Sequence, residues 1–297
     1  MAGATVASTR PNSLGDRVWR AVDRWLLPIY VFGVTVYLAL PVIVMIVFSF
    51  NDPTGRSNLQ WRGFSLDAWM DPLGRPGLPE AVANSLIIAF VSTIVATILG
   101  TLIALALVRY DFRGRGSTNI LIFLPMATPE IVLGASLLTM FIASVRLPFI
   151  PEGVLYPLSM TTIIIAHIMF EISFVVVTVK ARLTGFPRHL EEAAMDLGAN
   201  EWTTFWKVTF PLILPGVVAA ALLAFSLSID DYVITSFTAG QTQTFPLYIY
   251  GSQLRGIPVQ VNVIGTIIFV VAVMFVLLIT LWQRRVAARD YQASTAV

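Results

Sequence analysis

Along the chain, apolar residues gather into six long, nearly uncharged stretches, at about 28 to 50, 84 to 108, 119 to 143, 158 to 179, 211 to 229 and 261 to 282. Each is close to the roughly 20 residues that a helix needs to cross a bilayer core about 30 Å thick. The third stretch carries Pro125, Pro129 and Gly134 around Glu130. Proline removes a backbone donor and clashes with the preceding turn, so this span is predicted to break there, and broken helices at membrane depth line cavities. Residues 180–210, between the fourth and fifth stretches, are polar. Pro187 suits a helix start, Glu191 and Glu192 favour its positive end, and Gly198 can take the left-handed conformation that closes it. The spacing predicts a helix of about three turns, with Leu190, Ala193, Ala194 and Leu197 on one face and Glu191 and Asp196 away from them. Asn200 then caps a second short helix carrying Trp202, Phe205 and Trp206, before Pro211 opens the fifth span.

Composition agrees with this pattern. Of 297 residues, 57% are hydrophobic and 12% charged, and the mean hydropathy is +0.80, values that point to an all-α membrane protein. Basic residues set the orientation, because they accumulate in short cytoplasmic segments. Arg10, Arg17, Arg20 and Arg24 precede the first span, and Arg109, Arg113 and Arg115 follow the second. Lys180, Arg182, Arg188 and Lys207 follow the fourth, and Arg284, Arg285 and Arg289 follow the sixth. Only Arg56, Arg62, Arg75, Arg146 and Arg255 fall on the other side. Both termini and the 180–210 loop are therefore expected in the cytoplasm. The chain reads as a cytoplasmic segment over 1–27, a transmembrane domain over 28–282 and a cytoplasmic tail over 283–297. The first apolar stretch is too long for a signal-peptide core and no small-residue cleavage site follows it closely, so it is expected to stay.

Several chemistries are disfavoured. There is no cysteine, and His167 and His189 are the only histidines, so no metal site is expected. A phosphate-binding loop needs a lysine after glycine, but Lys180 follows Val179 and Lys207 follows Trp206. No Gly-x-Ser-x-Gly or His-Glu-x-x-His pattern suggests a hydrolase. The chain is not expected to be an enzyme by itself, and if its work is ATP-driven, another chain binds the ATP.

The 180–210 loop carries a more specific signal. Periodicity alone also suits a helix lying on lipid headgroups, but such helices usually display lysine and arginine, whereas Glu191, Glu192 and Asp196 are acidic. A small-residue stripe with acidic neighbours fits a protein groove better. Glu192, Ala193 and Ala194, with Gly198 and Pro211 at their spacing, resemble the cytoplasmic signature of ABC importer permeases, although Val208 and Phe210 stand where that family has isoleucine and leucine. In that family the element is a coupling helix docked on the ATPase. The resemblance narrows towards the spermidine/putrescine (polyamine) importers through four stretches. They are Arg109-Tyr110-Asp111-Phe112-Arg113-Gly114, Pro129-Glu130-Ile131-Val132-Leu133-Gly134, Phe174-Val175-Val176-Val177-Thr178-Val179 and Ser228-Ile229-Asp230-Asp231.

Ionisable groups in hydrocarbon cost roughly 2.5 to 3.5 kcal/mol on insertion scales and should face a cavity or a partner. Here they are Glu130, Glu171, Asp230 and Asp231, all acidic, as a cation path would require. The adjacent Asp230 and Asp231 repel each other, which a passing polyamine would relieve; a solvated helix end is the plainer alternative. Glu130 could equally bond backbone amides freed by the break. Glu171 falls four residues after His167, a spacing that lets the two pair. Tyr232, Phe237, Phe245, Tyr248 and Tyr250, on the outer loop from 231 to 260, suit cation-π contact with an ammonium group or an interfacial aromatic belt. Trp61 and Trp69, in the first outer loop, could meet a binding protein.

The resemblance implies a six-helix permease of the type I ABC importer fold in the bacterial inner membrane, moving polyamines. Its implied partners are an ABC ATPase dimer binding ATP and Mg, a second homologous permease subunit, an extracytoplasmic substrate-binding protein and membrane lipid. No nucleic acid and no cofactor in this chain are expected. Alternatives are importers of ferric iron, thiamine or an aminophosphonate, and a self-contained channel or secondary carrier.

Overall fold

The computed structural model describes residues 14–55, 57–146, 155–254 and 256–295. Arg10, Arg56 and Arg255, counted in the topology, lie outside them, as does the start of the 1–27 segment. The helices are α1 (Leu14–Phe48), α2 (Asp67–Met70), α3 (Leu78–Arg109), α4 (Arg115–Ala127), α5 (Glu130–Ala143), α6 (Met160–Thr184), α7 (His189–Asp196) and α8 (Glu201–Thr204). A π-helical turn (Phe205–Thr209) leads into α9 (Phe210–Ile229), followed by α10 (Val233–Thr238), α11 (Phe245–Gln253) and α12 (Val259–Thr295). Five helices are long and apolar enough to cross a membrane, and a sixth span results if α4 with the helical segment Glu130–Arg146 counts as one. That pair bends by 109° at Thr128 and Pro129, the break predicted from the prolines. Helical backbone runs past the apolar stretches, so α1 already begins at Leu14 and α12 continues to Thr295.

Packing divides the chain into two compact units, residues 1–72 with 257–297, and residues 73–256; the expected 28–282 domain takes in parts of both. In the first unit Met45 packs where a Cβ on Gly265 would fall, which brings α1 and α12 close. The connection after α1 is tied by polar bonds. Asn51 donates to Asn58 Oδ1 at 2.6 Å and to the Gln60 carbonyl at 2.7 Å, and Asn58 donates to the Phe48 carbonyl at 2.8 Å. Phe50 stacks between Phe64 and Trp69.

The second unit is built on α3, α6 and α9. Their shared core comprises Ala96, Ala104, Leu107, Val175, Val176, Val179, Leu183, Ile213, Ala220 and Ala224, joined by Ile122 of α4. Small residues facing β-branched ones let helix backbones approach, the main source of attraction between helices in lipid. Gly100 is the extreme case, since a Cβ there would fall 2.6 Å from Val175 Cγ1. A second cluster joins Leu133, Leu137 and Phe141 of α5 to Ala166 and Phe170 of α6 and Ile234 of α10. The stretch after Asp231, expected as a loop from 231 to 260, thus folds into two short helices. Its alternation of small and aromatic residues packs on the spans, as where Phe237 lies over Gly134.

Candidate functional site

The 180–210 loop forms the first part of the site. Helix α7 is about two turns long, shorter than the three expected, because its first helical residue is His189 rather than Pro187. Its end is a Schellman motif, in which the Ala199 amide donates to the Ala194 carbonyl at 3.0 Å and the Gly198 amide to Met195 at 2.9 Å. This requires the positive φ of 88° that Gly198 adopts. Asn200 caps α8 as predicted, accepting from the Thr203 amide at 2.8 Å. The second helix is not separate, however. Residues Glu201–Ile229 form one span through the π turn, where the Phe210 amide reaches back to the Phe205 carbonyl. Pro211 stands in the first turn of α9, as expected, and helical backbone continues upstream of it through the π turn to Glu201.

The two glutamates of α7 diverge. Glu192 is exposed, with Ala193 and Asp196, while Leu197 is 90% exposed and Leu190 and Met195 are also open. Glu191, expected on the displayed acidic face, turns inward with Ala194. Its Oε1 accepts from Arg109 Nη2 at 2.6 Å and from Thr209 Oγ1 at 2.6 Å. Arg109 also lies over the Phe186 ring, 5.0 Å from its centroid. Arg188 adds a bond from Nη2 to the Val108 carbonyl at 3.0 Å, as suits a cation at a helix C-terminus.

The second part is a polar network inside the α3, α6 and α9 bundle. Ser92 of α3 donates to Glu171 Oε1 at 2.8 Å, and its hydroxyl lies 3.1 Å from that of Ser228. Ser228 in turn meets His167 Nδ1 at 2.7 Å. His167 Nε2 lies 2.9 Å from Thr235 Oγ1 and 3.4 Å from Asp231 Oδ2. Glu171 and His167 are both buried, and they are joined through Ser228 rather than paired directly, which corrects the four-residue expectation. The link runs from Glu171 to Ser92 of α3, on to Ser228 of α9 and back to His167. Ser228 belongs to the quoted Ser228-Ile229-Asp230-Asp231 stretch, but its part in a network has no sequence signal, and neither have Ser92 and Thr235, since only the fold brings the three to α6.

Asp230 and Asp231 also diverge. Asp231 is buried and accepts from the Thr235 amide and hydroxyl, both at 2.7 Å, which closes the start of α10. Asp230 is exposed at the end of α9. Tyr232 packs against Tyr250 with ring centroids 4.5 Å apart and planes inclined by 32°. Glu130 is exposed at the first residue of α5, next to the helix amides that the break frees, so the structure does not bring it into the network. Phe245 is buried, Trp69 is taken up by Phe50, and Trp61 remains exposed. Among the described residues, no group of three or more His, Cys, Asp or Glu could hold a metal ion.

Comparison with known proteins places this geometry. Residues 96–290 match the family described as the binding-protein-dependent transport system inner membrane component. The chain is 37% identical over 258 residues to the spermidine/putrescine transport system permease protein PotC of Haemophilus influenzae, covering 86% of this chain and 95% of that one. It is 35% identical over 248 residues to the putrescine transport system permease protein PotI of Escherichia coli, covering 82% and 85%. Among solved structures, a bacterial ABC transporter involved in import of the acidic polysaccharide alginate aligns over 91% of this chain and 99% of its own. Its TM-score is 0.65 at 18% identity, a likeness of fold. The methionine ABC transporter MetNI aligns over 69% and 92%, with a TM-score of 0.52 at 19% identity. A bundle of membrane-crossing helices with a broken third span and a glycine-closed helix beside it thus has its place, and the chain belongs to the binding-protein-dependent transport system inner membrane components.

Proposed function

We propose that this chain is the permease subunit of a type I ABC importer for polyamines, with both termini and the 180–210 loop on the cytoplasmic side. The observation that carries the cargo is its similarity, over most of both chains, to permeases named for spermidine and putrescine. The reading also draws support from the acidic groups at the end of α9, which suit a cationic solute. Asp230, the exposed member of the pair, is the residue that would receive an ammonium group, with Tyr232 close by in sequence and packed against Tyr250.

Helix α7 would act as the coupling helix. Its open residues Leu190, Ala193 and Leu197, flanked by Glu192 and Asp196, suit insertion into a groove of a partner ATPase. ATP and Mg would be bound by that partner. A second homologous permease would complete the pathway, and an extracytoplasmic binding protein would deliver the solute.

Capture of the chain from its native membrane tests the assembly. An ABC ATPase subunit is expected to co-purify with it, and its loss on Glu192→Lys would locate the contact on α7. A chain that captures no nucleotide-binding subunit would instead be a self-contained channel or carrier.

A further inference from the structure

Glu191 has no role in the docking surface just proposed, because it faces away from it. Its carboxylate nonetheless ties the loop to two other elements. One carboxylate oxygen, Oε1, holds Arg109 at the last residue of α3 and Thr209 at the last residue of the π turn, each at 2.6 Å. The arginine is also held over Phe186, which precedes α7. Its side chain is 14% exposed and that of Glu191 17%, so the pair is shielded from the screening that weakens surface ion pairs. A charge-assisted bond of this kind is short and directional.

The three elements it joins are mechanically distinct. The α7 helix lies outside the bundle, whereas α3 and the span Glu201–Ile229 pack together through its core. Beside this pair, Arg188 donates to the Val108 carbonyl, and Leu183 and Phe186, ahead of α7, pack into the core that Leu107 and Val108 of α3 share. The far end of α7 turns on Gly198, which has nothing within 4 Å of a Cβ position. Helix α7 itself packs against α8 and the π turn of the Glu201–Ile229 span, so Glu191 is the side chain that carries its displacement across to Arg109 of α3 while also gripping Thr209. The π turn sharpens the point, because Thr209 sits where α-helical hydrogen bonding is already interrupted and the helix can change register at low cost.

Resting on the coupling-helix reading above, we propose that Glu191, with Arg109 and Thr209, is the positioning residue that transmits movement of α7 to the spans α3 and α9. Neighbouring glutamates thus divide the labour, Glu192 facing the partner and Glu191 facing the chain's own spans.

The test uses the whole transporter purified with its ATPase and reconstituted in liposomes, comparing wild type, Glu191→Gln, Arg109→Gln, Thr209→Val and the Arg109→Gln/Glu191→Gln double variant. Glu191→Gln keeps the side chain's shape and can still accept from Thr209, so it removes the charge with the least disturbance of folding. The expected result is an assembled complex whose ATP hydrolysis persists while solute imported per ATP falls about tenfold, within the range by which contacting residues couple. The double variant should be no worse than either single one, since both remove the same link. A purely structural role would instead lower the yield of complex and leave import per ATP unchanged in what assembles. Unchanged import per ATP in assembled Glu191→Gln and Thr209→Val complexes, or losses that multiply in the double variant, would overturn the transmission role alone. Failure of the wild-type chain to bring an ATPase with it would overturn the coupling-helix reading on which that role rests.

Discussion

Asp230 and Asp231 are chemically identical neighbours with opposite surroundings. Asp231 accepts from the Thr235 amide and hydroxyl and lies beside His167, so it is committed to closing α10. Asp230 is exposed and free of that duty. Replacing Asp231 by Ala orphans a buried donor and should cost about 1 to 3 kcal/mol of stability. Thermal unfolding of purified chain in detergent would register this as a lowered midpoint. Asp230→Asn should leave the midpoint unchanged and reduce polyamine uptake; the reverse assignment would follow if Asp230→Asn lowered the midpoint and spared uptake. Sequence reading found both aspartates but treated them as a pair, because adjacency is visible in a sequence and side-chain direction is not. The same limit explains Glu171. Its spacing from His167 is local and legible, whereas Ser92 and Ser228, which bridge to it, come from spans far along the chain.

The elements show where local chemistry suffices. Pro129 predicted a break in the third span, and the bend occurs there, because a missing amide and a ring clash act within one turn whatever the surroundings. Gly198 likewise marked the end of α7, and Asn200 the start of α8. Pro211 marks the first turn of α9, whereas the π turn that joins α8 to it has no signal in the sequence. Gly198→Ala tests the glycine's part. A Cβ there would meet no neighbour, so the expected cost is conformational alone, about 1 kcal/mol from forcing an alanine into the left-handed region. Uptake at equal amounts of chain in the membrane should fall, with Gly198→Asn milder than Gly198→Ala, because asparagine tolerates that region better. Equal uptake in all three would mean that the Schellman turn does not fix how α7 is presented.

At the scale of the whole molecule, five of the six apolar stretches coincide with helices long and apolar enough to cross a membrane, and the third with the bent pair of α4 and α5. A bilayer imposes length and hydropathy on each helix separately, so no tertiary information is needed to find them. Division into two units and the pairing of spans were not legible, because they depend on which small residue meets which neighbour, as Gly100 meets Val175. Function follows the same division. The surface that would meet an ATPase is a local motif on one short helix, while the link from that motif to the spans emerges only in three dimensions. The most direct measurement is energy-dependent uptake of labelled spermidine and putrescine in cells lacking this chain, complemented with wild type or with Glu192→Lys at equal membrane levels. The account predicts uptake restored by wild type and absent with Glu192→Lys. Wild type that restores neither polyamine would contradict the cargo, and Glu192→Lys that restores full uptake would contradict α7 as the coupling element.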